Sequence, residues 1–227
     1  MTGTDDGGQA EIEATYDAVA QHYAAEFADD LTEKILDRAL LSAFAEMVGR
    51  AAKVADLGCG PGFEARFLAE LGLAVTGVDL SSAMIAEAQR RHPSVEGLDV
   101  DFIKGSMLGL PFGDASLAGA IAIYSVIHLE PAARARAYAE MARVVRPGGT
   151  LLLSVHTSAV GFPAGSTRRL EDWWGQRVGL DGHFIAAEEV IDGLERVGFS
   201  IMARLERGPS TSREFASQRI YLLARRR

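Results

Sequence analysis

From residue 53 onward the chain repeats one alternation: a short apolar run, a turn rich in glycine or aspartate, then an amphipathic stretch with apolar residues three and four apart. Runs that short and that continuously apolar read as strands buried on both faces. The intervening stretches read as crossover helices, so the pattern implies a mostly parallel sheet with helices on both sides. The spacing predicts strands over 53–57, 74–78, 100–104, 117–124 and 149–155. Helices fit at 62–71, 82–91 and 131–145, the last halted by Pro147 and the glycines of "RPGG". A long stretch, 157–184, reads as irregular; beyond it come a helix at 187–197 and strands at 199–207 and 217–225. The link between those two strands is too short for a crossover helix, which predicts an antiparallel pair at one edge of the sheet.

Upstream, "ATYDAVAQHYAAEF" places Tyr16, Val19, Ala20, Tyr23 and Phe27 on one helical face, and "LTEKILDRALLSAFAEMV" reads as a second helix with Leu36, Leu40, Ala43, Phe44 and Met47 as its apolar stripe. Residues 1–10, "MTGTDDGGQA", have nothing to bury and are expected to be disordered. The division that follows is a disordered 1–10, a helical cover over 11–50, and a core over 51–227 with 157–184 inserted as a specificity element.

The first strand runs into "VADLGCGPGFEARFLAELG", residues 54–72, with glycine at every second position of its turn. Such a turn brings backbone N–H groups and a helix N-terminus against a ligand. A tight strand-to-helix turn with no ligand is the other reading, and the neighbouring residues weigh on the choice. A dinucleotide fingerprint measured from Gly58 and Gly60 needs glycine at 63, where this chain has Phe63 with its third glycine early, at Gly62. The Gly-Lys-Ser/Thr ending of a phosphate-binding P-loop is missing too. The second strand ends "VTGVDLS", which sets Asp79 at the sheet's carboxyl edge, where a carboxylate can accept both hydroxyl protons of a ribose. Asp79 or Ser81 can also cap the helix at 82, Ser81 being the better cap. Asp56, at the end of the first strand, is expected to be buried and in need of donors from the loop or a ligand amine.

The blocks "VADLGCGPG", "VTGVDLS", "FIKGSMLGLPF", "LAGAIAIYSVIHL" and "VVRPGGTLLLSV" fall in an order and spacing that resemble the class I S-adenosylmethionine-dependent methyltransferases, from about residue 12 to the C-terminus. The resemblance implies a Rossmann-like α/β fold of seven strands, mostly parallel with the last antiparallel. It implies S-adenosylmethionine as cofactor, leaving as S-adenosylhomocysteine after an in-line displacement. Asp56, Gly58, Gly60 and Gly62 match the loop that holds the methionine part, with Cys59 inside it as packing, and Asp79 matches the acid on the ribose. Leu80, Met84 and Tyr124 are assigned to the same cofactor shell. Ser106 and Met107 match the positions flanking the adenine, where relatives often carry an aspartate; here the hydroxyl or a main-chain amide takes that place and Met107 packs on the ring. A "YD-x-x-A-x-x-Y" opening is used by relatives as a cover, so Tyr16 and Tyr23 either face the cofactor or serve helix packing.

A methyl acceptor needs alignment, and a hydroxyl or carbon acceptor also needs to lose a proton. His128 in "IYSVIHL" and His156 in "LLLSVH" sit near the carboxyl edge and are the candidate bases; His183, in the irregular stretch on the substrate side, is a third candidate. Tyr124, His128 and His156, with Trp173, Trp174 and His183 from the 157–184 stretch, make up the expected acceptor site, although the tryptophans could equally staple that stretch down. Arg168 and Arg169 there could recognise a carboxylate or phosphate, or be ordinary surface arginines.

Composition narrows the partners. A formal charge of −8 with 31 acidic residues disfavours nucleic acid. There is no apolar run approaching about 20 residues and no signal-like start, and the single cysteine fits a reducing compartment. Arginine outnumbers lysine 20 to 3, the bias of a GC-rich bacterial genome. No metal-ligand spacing is present. The expectation is a cytoplasmic monomer or homodimer that methylates a small molecule in bacterial secondary metabolism. The rival expectations are a nicotinamide-dependent oxidoreductase and a non-catalytic cofactor-binding sensor.

Overall fold

A computed structural model describes residues 6–28, 30–93 and 96–227 of the 227-residue chain. Strands β1 (Lys53–Leu57), β2 (Ala74–Asp79), β3 (Val100–Lys104), β4 (Leu117–Ile123), β5 (Val145–Ala159), β8 (Phe199–Arg207) and β9 (Ser217–Arg226) form one seven-stranded sheet in the order β3-β2-β1-β4-β5-β9-β8. The pairs among β1 to β5 are parallel, and β9 runs antiparallel between β5 and β8. The central strands are fully covered: β4, "LAGAIAI", is buried at its first six positions, as a strand with helices on both sides must be.

The two faces carry separate apolar layers. On one, α6 (Pro131–Val144) and α7 (Ala187–Arg196) pack Ala137, Met141, Val190 and Leu194 against β4, β5 and β9. On the other, α3 (Ile35–Val48), α4 (Phe63–Glu70) and α5 (Ser82–Arg91) contribute Leu41, Phe44, Leu68 and Ala88. β1, β2 and β4 end on the same side and each turns into a helix, which leaves their carboxyl edge open between the layers.

Several expectations are corrected. The segment 1–10 is not uniformly irregular: α1 (Asp6–Glu26) already includes residues 6–10, while 1–5 lie outside the described residues. Gln9 explains the early start, because it reaches across to Ser106 and has a partner to order it. The helix expected over 31–48 is broken at Lys34 into α2 (Asp30–Glu33) and α3. Its buried stripe is Asp37, Leu41, Phe44 and Ala45, leaving Leu36 and Met47 exposed. The stripe is displaced because Asp37 turns inward to Arg207, at 2.7 Å, and to Tyr221, at 2.8 Å. The stretch 157–184 is largely ordered strand: β5 continues to Ala159, and β6 (Thr167–Trp173) pairs antiparallel with β7 (Gln176–His183) as a separate hairpin. Among the described residues, no helix is long and apolar enough to cross a membrane.

Candidate active site

The loop after β1 is stitched to its neighbour before any ligand arrives. The backbone N–H groups of Gly58 and Cys59 both donate to the Val78 carbonyl, at 2.7 and 3.1 Å, tying the turn to the end of β2. Gly58 has φ of +75°, and a Cβ there would lie 2.3 Å from the Cβ of Ser125, so the turn after β4 closes directly on it. Asp79 is gripped from both sides: Gly60 N donates to its Oδ2 and Ser81 N to its Oδ1, each at 2.8 Å. Each carboxylate oxygen keeps a second lone pair for a ligand hydroxyl. Burial raises the Asp79 pKa against these two backbone donors and, more weakly, against that of Leu80. Ser81 caps α5 by accepting from Met84 N at 3.0 Å, and Asp17 of α1 accepts from the Ser81 hydroxyl at 2.5 Å and from Ala83 N at 3.0 Å. One acidic residue thus latches the N-terminal helix over this edge of the sheet.

A cavity opens above the loop, walled by Gly58, Cys59 and Gly60 below, by Asp79, Leu80 and Met84 on the β2 side, and by Tyr16 and Tyr23 of α1 above. Ser106 and Met107 close one end, joined by Gln9. The Ser106 hydroxyl is committed, accepting from Leu108 N at 3.1 Å and donating to Gln9 Oε1. A main-chain amide is therefore the freer of the two adenine contacts expected in this region. Burial pushes the Cys59 thiol up, so it stays protonated and packs.

A second cavity lies beyond the first, between β5, β9, the 210s loop and the β6–β7 hairpin, and it includes His156, Trp173 and His183. The two cavities share Tyr16, Tyr23, Phe27, Lys34, Tyr124 and His128. His128 is held at both ring nitrogens. Nδ1 faces the Asp181 carbonyl at 2.8 Å and must carry the proton, so Nε2 accepts from the Tyr16 hydroxyl at 2.8 Å. Burial lowers its pKa to about 4. His156 stacks on Tyr124 with centroids 4.6 Å apart and planes 11° from parallel, and its Nδ1 meets the Ser217 hydroxyl at 2.7 Å. Burial, and next the charge of Arg219, lower its pKa to about 3. Both imidazoles are neutral near pH 7.

The sequence model of a methyltransferase-domain family matches residues 54–149, from inside β1 to the start of β5. The chain is 32% identical over 152 residues to a demethylmenaquinone methyltransferase of Beutenbergia cavernae, covering 63% of this chain and 57% of that protein. It is 38% identical over 103 residues to an O-methyltransferase of Aspergillus sclerotiorum, covering 44% of this chain and 38% of that one. The chain carries a methyltransferase domain over residues 54–149 and is similar to S-adenosylmethionine-dependent methyltransferases. It spans about half the length, or less, of these curated relatives. Its fold is also that of the magnesium protoporphyrin IX methyltransferase of Synechocystis with bound S-adenosylmethionine, at TM-score 0.73 and 17% identity over 100% of both chains.

The methyltransferase cofactor is a cation at its sulfonium and amine and a diol at its ribose, and the first cavity suits each part. Asp79 offers the diol its spare lone pairs. Glu64 lines the cavity, and Asp56 is buried just behind it. Tyr16, Tyr23 and Phe27 supply aromatic faces, which attract a sulfonium.

Two loop residues do not reach the cavity wall as expected. Asp56 lies behind the loop, hydrogen-bonded to the Ala65 backbone with Oδ2 unpartnered, and burial raises its pKa. It orders the start of α4. Gly62 is the left-handed N-cap of α4, and a Cβ there would run into the Phe102 ring at 2.5 Å. Trp174 also falls outside both cavities: it stacks on His22 of α1 at 4.3 Å, leaving Trp173 to face Tyr16 and Tyr23 edge-on at 5.8 Å. The tryptophans do staple their segment, though to α1 rather than to the sheet.

Gln9, Glu64 and Lys34 were not singled out in the sequence. Gln9 lay in the segment read as disordered, while the break at Lys34 carries no glycine or proline to reveal it.

Proposed function

We propose that this chain transfers the methyl group of S-adenosylmethionine to a small-molecule acceptor by in-line displacement, with the acceptor in the second cavity and the reacting atoms meeting at the shared wall. The observation that carries this reading is that wall: one cavity fits the cofactor, the other is lined by rings, and Tyr16, Tyr23, Tyr124 and His128 belong to both. When bound, S-adenosylmethionine supplies an electrophilic methyl on a positively charged sulfur. Asp79 fixes the nucleoside end, the Gly58 to Gly60 turn holds the methionine end, and the aromatic wall excludes water from the reacting centre. Holding two reactants in such a geometry is worth about 7 to 11 kcal/mol.

Base catalysis contributes little in this reading. A proton passed through the Tyr16 hydroxyl to His128 Nε2 would create an imidazolium where burial opposes it, and His156 is a still weaker base. The site favours an acceptor that loses its proton readily, such as a phenol or an acid. A cytoplasmic setting in specialised bacterial metabolism belongs to the same reading and rests on composition.

Incubation with methyl-labelled cofactor and a panel of hydroxylated aromatics tests the proposal. Label should appear in an acceptor, and its transfer should fall when Tyr124→Ala opens the shared wall. Tight binding of the cofactor with no transfer to any acceptor would support the sensor instead, and uptake of a nicotinamide cofactor in its place would support the oxidoreductase.

A further inference from the structure

The hairpin carries two adjacent arginines, and strand alternation sends them to opposite faces. Arg169 pairs with Glu11 of α1 and, at 3.0 Å, with Asp181, so it pins the hairpin to the cover. Arg168 lies on the face that walls the second cavity, together with Leu170 and Leu180. Its guanidinium stands 5.5 Å from the centroid of the Phe215 ring, and no carboxylate among the described residues pairs with it. The residue across the ladder is Gly182, where an added Cβ would find only the Arg168 carbonyl, at 3.8 Å. Open space therefore adjoins the arginine on the cavity side.

The second cavity brings arginines to its wall in a protein of formal charge −8. Among the arginines of its lining, Arg213 pairs with Glu33 at 3.4 Å and Arg219 with Glu214, which leaves Arg168 without a carboxylate among the described residues. Glu214 is already neutralised, accepting two bonds of 2.7 Å from Arg207 and one of 2.5 Å from Ser210 N, with Arg219 3.2 Å away. Arg219 is almost wholly buried and its Nε has no partner. The remaining walls are flat: the Tyr124 and His156 stack, Trp173, Phe184 and Phe215. Flat rings beside an arginine that has no carboxylate partner suit a planar anion, because low-dielectric walls focus the field of that arginine.

Building on the methyl-transfer reading, we propose that the acceptor is a planar aromatic bearing a carboxylate, which Arg168 binds while the nucleophilic atom points to the shared wall. The test is calorimetry on the full chain saturated with S-adenosylhomocysteine, titrated with a hydroxynaphthoate and with the matching neutral hydroxynaphthamide. The acid should bind about tenfold more tightly than the amide, the weight of one charge-assisted hydrogen bond. Arg168→Ala should remove that difference while leaving the affinities for the amide and for S-adenosylhomocysteine unchanged, and Arg168→Lys should restore part of it. Equal binding of acid and amide, equal loss of both in Arg168→Ala, or binding of neither would overturn the proposal. The S-adenosylhomocysteine titration separates the two readings: failure there strikes the methyl-transfer reading, while the acid and amide compared on the chain without it still report on Arg168.

Discussion

Replacing Gly58 by alanine sets two separable costs on the cofactor loop, and Gly60→Ala sets only one. At φ of +75° a side chain at 58 meets the left-handed penalty of about 1–2 kcal/mol, and its Cβ would sit 2.3 Å from Ser125 Cβ. Carbon atoms are comfortable at about 3.5–4.0 Å, so more than an ångström of movement is needed. Ser125 Cβ is no flexible tip: it is fixed to the backbone immediately before the 3-10 turn Val126–His128, which sets the position of His128. Overpacking of that kind costs about 1–3 kcal/mol, for a total of about 2–5 kcal/mol. Gly60 has φ of +50° with nothing within 4 Å of an added Cβ, so its cost is the left-handed penalty alone. Calorimetric affinity for S-adenosylhomocysteine and thermal unfolding together capture the loss, since the loop must either displace the turn or abandon its ligand-binding shape. Gly58→Ala should lose about tenfold or more beyond Gly60→Ala, at about 1.4 kcal/mol per decade. Adding Ser125→Gly to Gly58→Ala should return the overlap part and not the backbone part, a non-additivity that a double-mutant cycle measures. Equal losses for the two glycines, or strict additivity with Ser125→Gly, would refute the assignment of the loop's shape to this contact.

Asp79→Asn keeps the shape but sets an amide group where two backbone donors point, and it weakens the grip on a diol; affinity for S-adenosylhomocysteine should fall about a hundredfold, from about 1.5–3 kcal/mol per charged hydrogen bond, and a change below about threefold would contradict the role. His128 titrates near 4 folded and near 6.5 unfolded, so the unfolded chain binds the extra proton between those values and stability falls as pH drops through that window, by about 3 kcal/mol. Unfolding followed from pH 7 to 4 should show a steeper loss in the wild type than in His128→Gln, and identical slopes would count against the buried neutral imidazole. Trp174→Ala should speed amide hydrogen exchange across 167–183 by releasing the hairpin from His22, while the amides of β4 stay protected; uniform acceleration would mean that the tryptophan serves the whole fold.

The sheet was legible because its strands are buried on both faces and so write themselves as unbroken apolar runs, "KVADL" and "LAGAIAI" among them. The turn after β1 was legible because its shape is set locally, by glycines of positive φ and by a carboxylate at fixed spacing that accepts from the turn's own amide. The hairpin had no such signature. β6 is exposed at most positions, so its residues carry no period-two apolar signal, and its two-residue turn is Trp174–Gly175 with φ of +54° and +77° rather than the asparagine–glycine that would announce it. The left-handed tryptophan is held by its stack on His22, a contact 152 residues away in sequence, and local chemistry cannot report that.

Asp37 is the same problem on the other side of the site. A helical wheel puts an aspartate outward, yet Asp37 is buried because Arg207 and Tyr221, both from the C-terminal strands, need its oxygens. The chain of contacts continues from Arg207 to Glu214, from Glu214 to Arg219, and from Arg219 to the face of Tyr124, 5.8 Å from its centroid. Tyr124 belongs to both cavities, so the buried charges of the last strands are wired to the shared wall. Breaking a buried pair by removing one partner leaves an uncompensated charge, typically at 3–5 kcal/mol. A network that expensive to disturb fixes the ring of Tyr124 and, through the stack, His156, which gives the cavity rigid walls where the inserted hairpin alone would give a pliable one. The first cavity accordingly rests on the glycine turn and Asp79, which the sequence displays openly, while the part least readable by period, Asp37 with residues 207–221 and the hairpin, shapes the second cavity.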